Sequence, residues 1–223
     1  RCAIVTGVQT CALPISFYVD NTSPVISIAS PFTGDWLQEK LRVTGSVTEE
    51  HGLSKLSYSL NGGEDFYTLP VSYNEDKNSL YNFEEEIPLP QPDGGYTLLL
   101  RAADKSGNVG NASVSFQKDT EPVSIEIVQP AADLEVNGKT TVTGKAADSG
   151  IITDIEFSDD GETYRDVDGL GVFHFDIDFA EYTEGLPENF YLRTTDKSGN
   201  TAVHSQRFNV SFEADEPEVL IQT

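Results

Sequence analysis

The feature that most constrains the fold of this chain is an internal repeat. The pentapeptide DKSGN occurs at residues 104–108 and again at 196–200, and the flanking sequences align so that Arg101 matches Arg193. Self-similarity at a fixed spacing is typical of chains that build the same unit twice. For a chain of 223 residues, two domains of about 100 residues each are therefore favoured over one large domain.

Further landmarks recur in the same order. LRVTGSV at 41–47 matches TTVTGKA at 140–146. Each repeat opens with an aspartate, a proline and an alternating apolar segment, as DNTSPVISI from Asp20 and as DTEPVSIEI from Asp119. The same opening starts a third time as ADEPEVLI at Ala214, which predicts that the array continues.

Alternation of polar and apolar residues predicts short β-strands in both repeats, as at Leu41 and Val43, and no helical period is present. NGG at 61–63 and DDG at 159–161 are predicted hairpin tips, because such residues accept the positive φ of tight turns. Frequent turn signals favour seven strands per repeat. In the first repeat we place the strands at approximately 24–29, 40–47, 54–61, 65–71, 80–87, 95–103 and 110–117.

A family resemblance rests on three of these segments. In the first repeat they are the proline-containing opening strand, V-T-G on the second strand, and YTLLLRAADKSGN from Tyr96. The pattern resembles the bacterial immunoglobulin-like (Big-type) repeats of large surface proteins and adhesins, over residues 20–212. It implies an all-β fold of tandem seven-stranded immunoglobulin-like Greek-key β-sandwiches. The corresponding domains are 17–118 and 119–212, with 213–223 starting a third.

Two aromatic positions carry separate expectations. Trp36 follows the first strand in a loop, where it is expected to plug one end of the core or to cover the junction between the repeats. A sugar-stacking platform is the alternative. The second repeat has Glu188 near the place of Tyr96, so a tyrosine-corner hydrogen bond is expected only in the first repeat.

Residues 1–16, RCAIVTGVQTCALPIS, lie outside both repeats. The part VTGVQTCALPIS resembles the translated read of a sequencing-library adapter joined to a truncated gene, so we interpret the segment as non-native. A natural amphipathic strand or the end of a leader is the alternative. Both cysteines, Cys2 and Cys11, lie within it. The repeats themselves therefore predict neither a disulfide nor thiol chemistry.

Composition and motifs exclude several functions. The net charge of −23 repels nucleic acid and anionic lipid surfaces, and no apolar run is long enough to span a bilayer. His51, His174 and His204 lie in a loop and two strands without a nucleophile elbow or zinc-ligand spacing. The acidic run at 84–86 is predicted to lie on a solvated edge strand. We therefore expect no catalytic machinery and no required cofactor.

One metal site is predicted, for calcium. In a seven-strand immunoglobulin topology, the start of the chain and the loops after the second and sixth strands meet at one pole. In the second repeat this pole would collect Asp119, Glu121, Asp148 and Asp196, and it would face the end of the first repeat that carries Asp35 and the turn at 91–94. Carboxylates gathered in this way suit a hard, oxygen-seeking cation.

The alternative is an acidic pole that is merely hydrated. In that case Asp104 and Asp196 each begin an Asx-type turn on the backbone N–H groups of Ser-Gly-Asn. DKSGN has a single carboxylate and lacks the dense aspartate spacing of a dedicated calcium loop.

The sequence as a whole predicts a non-catalytic extracellular structural or adhesive module, such as the stalk of a bacterial surface protein. The alternative is an accessory immunoglobulin-like or carbohydrate-binding module of a secreted hydrolase. Expected partners are the neighbouring repeats and a protein or glycan ligand. The expected location is the cell surface or extracellular space of a bacterium, with the periplasm as a further compatible compartment.

Overall fold

The computed structural model describes residues 19–75, 79–131, 134–182, 185–187 and 189–211. Within these ranges the chain is all-β, apart from one short 3₁₀ turn at Phe179–Glu181. The immunoglobulin-like, all-β fold class predicted from the sequence is confirmed. Residues 1–16, 213–223 and Glu188, on which three of the expectations fall, lie outside the described residues.

The first sandwich consists of a four-stranded sheet in the order β1-β3-β7-β6 and a five-stranded sheet in the order β2-β9-β8-β4-β5. The long strands pair antiparallel, whereas β2 pairs parallel with β9. The strands are β1 Val25–Ser30, β2 Trp36–Leu37, β3 Lys40–Thr48, β4 Leu53–Ser59, β5 Tyr67–Thr68, β6 Ser72–Tyr73, β7 Leu80–Pro88, β8 Gly94–Asp104 and β9 Val109–Lys118.

The second sandwich repeats this plan with a three-stranded sheet, β10-β12-β15, facing a four-stranded sheet, β14-β13-β16-β17. A short parallel pair, β11 with β18, corresponds to the pairing of β2 with β9. The strands are β10 Ser124–Gln129, β11 Glu135–Val136, β12 Lys139–Ala147, β13 Ile152–Ser158, β14 Arg165–Asp166, β15 Val172–Asp178, β16 Phe190–Asp196, β17 Thr201–Gln206 and β18 Asn209–Val210.

Three details of the first sandwich differ from the predicted strands, and one of them is β6, which no predicted strand covers. The strand expected at 65–71 is only the two residues of β5, because Pro70 has no N–H to donate to a ladder. Trp36, expected in a loop, lies in β2 opposite Gln117. This segment is held by hydrogen bonds from Gly34 N–H to the Ser115 carbonyl and from Gln117 N–H to the Asp35 carbonyl. A two-residue strand has no periodicity that a sequence could reveal.

Each sandwich encloses its own apolar cluster. In the first, Leu98 and Leu100 of β8 are buried opposite residues of β3 and β7. In the second, Phe157, Phe173 and Ile177 are among the buried residues. No buried residue is shared between the two clusters within the described part of the chain. Each set of sheets therefore has an independent source of hydrophobic stabilisation.

The repeated V-T-G motif has a packing reason. Gly45 on β3 lies opposite Phe83, and Gly144 on β12 lies opposite Phe173. A Cβ atom at either glycine would collide with the partner's ring. The glycine therefore lets a phenylalanine from the next strand lie flat across the backbone, an arrangement known to offset the weakness of glycine in strands.

A tyrosine corner is present in the first sandwich. Tyr96 Oη donates to the carbonyl oxygen of Pro92 at 2.6 Å and lies 3.3 Å from that of Pro90. The bond ties the start of β8 to the preceding turn, at the end of the sandwich that meets the second repeat.

The hairpin tip after β13 is held by the carboxylate of Asp160. Its Oδ1 accepts hydrogen bonds from the backbone N–H groups of Glu162 and Thr163, each at 2.7 Å, and from the Ser158 hydroxyl at 2.9 Å. These donors lower the pKa of Asp160 to about 2. The equivalent tip after β4 uses a neutral side chain, because Asn61 Oδ1 accepts from Asp65 N–H and from the Ser59 hydroxyl.

This difference predicts a pH-dependent effect of Asp160→Ala on the second sandwich. The pKa of Asp160 is lower in the folded than in the unfolded chain. Its ionised carboxylate therefore stabilises the fold at pH values above the unfolded pKa, and this stabilisation is lost as pH falls towards 2. We expect the variant to melt on the order of a few degrees below wild type at pH 7, with a gap that closes as pH falls from 4 to 2. Asn61→Ala is the control. The decrease in melting temperature caused by Asn61→Ala should not change with pH. If calorimetric melting shows a pH-independent difference from wild type for both variants, the role assigned to the Asp160 carboxylate is contradicted.

Candidate functional site

The second DKSGN loop forms the Asx-type turn that was the alternative interpretation of this motif. Asp196 Oδ1 accepts the Asn200 backbone N–H at 2.9 Å, and its Oδ2 accepts the Asn200 side-chain amide at 2.8 Å. The same amide nitrogen donates to the carbonyl oxygen of Asp119 at 3.0 Å. The motif therefore fastens the loop between β16 and β17 to the start of its own repeat.

The turn brings three of the four predicted calcium ligands together. One carboxylate oxygen from each of Asp119, Asp148 and Asp196 lies within 4.8 Å of the others. Glu121, expected as a fourth ligand, has an exposed side chain and is not part of this group. Only its backbone takes part, because its N–H donates to Asp119 Oδ1 at 3.2 Å and its carbonyl lies 3.3 Å from the Asn200 amide. We call the three aspartates the joint triad.

Two members of the joint triad are buried, the third is partly buried, and the triad is incompletely hydrogen-bonded. Asp119 is 2% exposed and Asp196 is 3% exposed. Asp119 Oδ2 and both carboxylate oxygens of Asp148 are shielded from solvent, and no protein group donates to them. Burial and the neighbouring charges of Asp148 and Asp196 raise the pKa of Asp119. None of the ion pairs within the described ranges involves the triad. The site thus concentrates negative charge without a compensating cation from the protein.

The first sandwich covers this site with Trp36. Gly150 follows Asp148 by two residues, and a Cβ atom placed on it would collide with Asp119 Oδ2 and lie 2.9 Å from the Trp36 indole. Gly150 therefore lets the Asp119 carboxylate and the Trp36 indole approach its backbone more closely than a residue with a Cβ atom would allow. The lone tryptophan of the chain lies at the junction between the repeats, which was the favoured interpretation of this residue.

The corresponding pole of the first sandwich is filled differently. Asp104 there accepts from the backbone and side chain of Asn108, whose amide also donates to the Asp20 carbonyl. His51, three residues after the end of β3 as Gly150 is after the end of β12, places Nδ1 3.3 Å from Asp20 Oδ2. Glu49 completes this group. The first pole thus has an imidazole at the position where the second pole has Gly150.

The opposite end of the first sandwich holds the linker to the second. Lys118, the last residue of β9, has a fully buried side chain whose ammonium group donates to Asp93 Oδ1. Asp93 Oδ2 accepts from the Thr120 backbone N–H at 2.7 Å and from its hydroxyl at 2.8 Å. The hydrogen bonds from Lys118 and Thr120 lower the pKa of Asp93. Asp35 instead caps its own turn by accepting the Phe32 N–H at 2.8 Å.

Among the described residues, one direct hydrogen bond joins the two sandwiches beyond the linker. Gln38 Nε2, just after β2, donates to Asn200 Oδ1 at 2.9 Å. Asn200 therefore contacts the first sandwich with its oxygen and the triad with its nitrogen. Together with the packing of Trp36 near Gly150, this bond places the triad at the joint between the sandwiches.

The three histidines show no catalytic geometry. His51 pairs with Asp20, His174 Nε2 lies 3.3 Å from an exposed carboxylate of Asp168, and His204 Nε2 lies 3.1 Å from the carbonyl oxygen of Val123. None of these pairs is completed by a serine, threonine or cysteine nucleophile among the hydrogen bonds of the described residues. No helix in this part of the chain is long and apolar enough to cross a membrane.

Several solved structures are similar to this chain at low sequence identity. The fibronectin(III)-like modules of Clostridium thermocellum CbhA share 16% identity over 83% of this chain and 94% of that chain, with a TM-score of 0.42. Dimeric latent PorU from Porphyromonas gingivalis shares 17% identity over 89% of this chain and 21% of that chain, with a TM-score of 0.43. Titin domains I67–I69 share 15% identity over 84% and 65% of the two chains, with a TM-score of 0.46.

Sequence comparison finds one family match, and it lies within the second sandwich. No curated protein is detectably similar in sequence. Residues 124–187 match the family model described as a bacterial Ig domain. This range runs from β10 into the segment before β16 and includes the second V-T-G motif. Residues 124–187 are therefore similar to bacterial immunoglobulin-like domains, the family that the sequence resembles.

Proposed function

We propose that this chain is a non-catalytic spacer in an extracellular or surface-displayed bacterial protein, built so that consecutive sandwiches meet at a fixed joint. The observation that carries the proposal is the way the linker is held. Lys118 and Thr120 are both bonded to Asp93, and Asp119 N–H donates to the Leu37 carbonyl at 2.9 Å. The linker thus continues the first sandwich instead of leaving it as a free tether.

Contacts across the joint support the same conclusion. The bond between Gln38 and Asn200 and the packing of Trp36 near Gly150 both join β2 to the loops of the second sandwich. β2 is itself fixed to β9, the strand that runs into the linker. Rotation of one sandwich about the linker would break these contacts together, so the relative orientation is restricted.

Family and composition support the cellular setting. Immunoglobulin-like domains of this family are generally non-catalytic and typically occur in extracellular proteins. The net charge of −23 keeps an extended repeat protein soluble and discourages association with nucleic acid. In this setting the natural partners are further repeats of the same chain and a protein or glycan ligand held at the tip of the array.

Small-angle X-ray scattering of the full chain tests the spacer role. In buffer with chelator, the wild type should give an elongated, two-lobed particle with a well-defined maximum dimension. Trp36→Ala with Gln38→Ala should broaden the distribution of dimensions, because both contacts across the joint are removed. Val19→Ala, at an exposed residue outside both apolar clusters, is the control and should scatter as the wild type does. A compact globule, or a wild type as broad as the double variant, would refute the proposal.

A further inference from the structure

We propose that Asp119, Asp148 and Asp196 bind a calcium ion, and that this ion locks the joint between the two sandwiches. The proposal rests on the joint of the proposed spacer, and it adds a ligand that regulates the stiffness of that joint. It depends on four observations: the spacing of the carboxylates, their missing hydrogen-bond donors, the glycine that stands where the first sandwich has His51, and the cover provided by Trp36.

The spacing fits a hard cation. Calcium binds oxygen atoms at about 2.4 Å, so two oxygens on one ion can be up to about 4.8 Å apart. One oxygen from each member of the joint triad meets this limit. The Asx-type turn does not compete with binding, because each Asp196 oxygen accepts one hydrogen bond from Asn200 and keeps a further lone pair.

The missing donors point to a ligand independently of the spacing. Asp119 is almost fully buried, yet its Oδ2 has no protein donor, and neither oxygen of Asp148 has one. Buried carboxylates are ordinarily hydrogen-bonded, paired with a basic residue or bound to a metal. A divalent ion would satisfy all three free oxygens at once. The buried Ser198 hydroxyl, also without a partner, is a further oxygen at the same pole.

The two repeats differ at the residue that decides whether calcium binds at the pole. In the first sandwich the imidazole of His51 lies against Asp20, so the protein supplies its own group at that pole. In the second, the corresponding residue is Gly150, which has no side chain that could pair with Asp119. Calcium is therefore expected at the second pole and not at the first. The first pole is a natural internal control, with Glu49 at the position that corresponds to Asp148.

The site couples the ion to the joint. Asp119 belongs to the linker, Asp148 and Asp196 belong to loops of the second sandwich, and Trp36 comes from the first. An ion bound to all three carboxylates would remove their mutual repulsion and hold the linker against the loops that Gln38 and Trp36 contact. Calcium therefore stiffens the array, and its removal loosens it.

Trp36 gives a direct assay, because it is the single tryptophan of the chain and lies beside the site. Calcium titrated into chelator-treated full-length protein should change its emission in a saturable manner, with one ion bound per chain by calorimetric titration. At calcium about 100-fold above its dissociation constant, the melting midpoint of the second sandwich should rise by on the order of 10 °C. Sodium chloride at equal ionic strength should give neither effect.

Matched variants assign the effect to the triad. Asp148→Asn should abolish the calcium-dependent change in emission and midpoint, whereas Glu49→Gln in the first sandwich should leave both unchanged. The midpoint measured in chelator shows that each variant is folded, in the second sandwich for Asp148→Asn and in the first sandwich for Glu49→Gln. Identical emission and midpoints of the wild type in calcium and in chelator would overturn the proposal, as would an undiminished response in Asp148→Asn. Scattering in chelator tests the spacer separately, so either proposal can fail without the other.

Discussion

Replacing Asp93 by alanine should destabilise the first sandwich by about 3 kcal/mol or more, because it strands the charge of Lys118 in a buried position. The Lys118 side chain is fully buried, and its ammonium group donates to Asp93. The substitution also removes both bonds from Thr120 to Asp93, so the linker should loosen at the same time. Chemical denaturation of the full chain measures the first effect, and the hydrogen exchange rate of the Thr120 amide measures the second.

The double variant Asp93→Ala with Lys118→Met separates charge from packing. Methionine keeps most of the apolar stem of lysine and carries no charge, so it should recover a large part of the lost stability. It should not restore protection of the Thr120 amide, because the acceptor is still missing. Equal stability of the single and double variants would contradict the claim that Lys118 needs this carboxylate.

The same ion pair makes the first sandwich sensitive to acid. Folding lowers the pKa of Asp93. The contribution of its carboxylate to the stability of the first sandwich is therefore complete above the unfolded pKa and is lost as pH falls through the folded pKa. The difference in stability between wild type and Asp93→Ala should therefore shrink on acidification below about pH 4.

Truncating one core should leave the other sandwich folded. Phe173 is fully buried in the second sandwich, and Phe173→Ala should cost about 3–5 kcal/mol there. Leu100 is fully buried in the first, and Leu100→Ala should cost about 2–5 kcal/mol there. Calorimetry of each variant should show two transitions, with only the transition of the altered sandwich shifted. A single transition that moves as a whole in both variants would show one cooperative unit instead of two.

Periodicity and repeated motifs were sufficient to predict the long strands. V-T-G, the alternating residues of β8 and the DKSGN turn each depend on local chemistry that a sequence displays directly. The short parallel strand β2 was not predicted, because two residues cannot show a period. Pro70 is the signal in the sequence that the strand at 65–71 is short, and the predicted strand did not take it into account.

At the candidate site, the sequence identified the acidic residues but not their surroundings. The pole position of Asp119, Asp148 and Asp196 followed from topology alone. The Glu121 side chain is exposed because of the side of the chain that it occupies after Thr120. Composition does not encode that side. The roles of Gly150 and Lys118 were missed because each becomes evident only when residues distant in sequence are brought into contact.

The fixed joint is tested most directly by ¹⁵N relaxation of the full chain, measured residue by residue in both sandwiches. If the joint is fixed, strands of both sandwiches report one anisotropic tumbling tensor, and the correlation time is that of the whole two-sandwich particle. In the double variant Trp36→Ala with Gln38→Ala, the single tumbling motion should be replaced by two faster, partly independent motions, one for each sandwich. A wild type in which each sandwich already tumbles with the correlation time of a single domain would contradict the account.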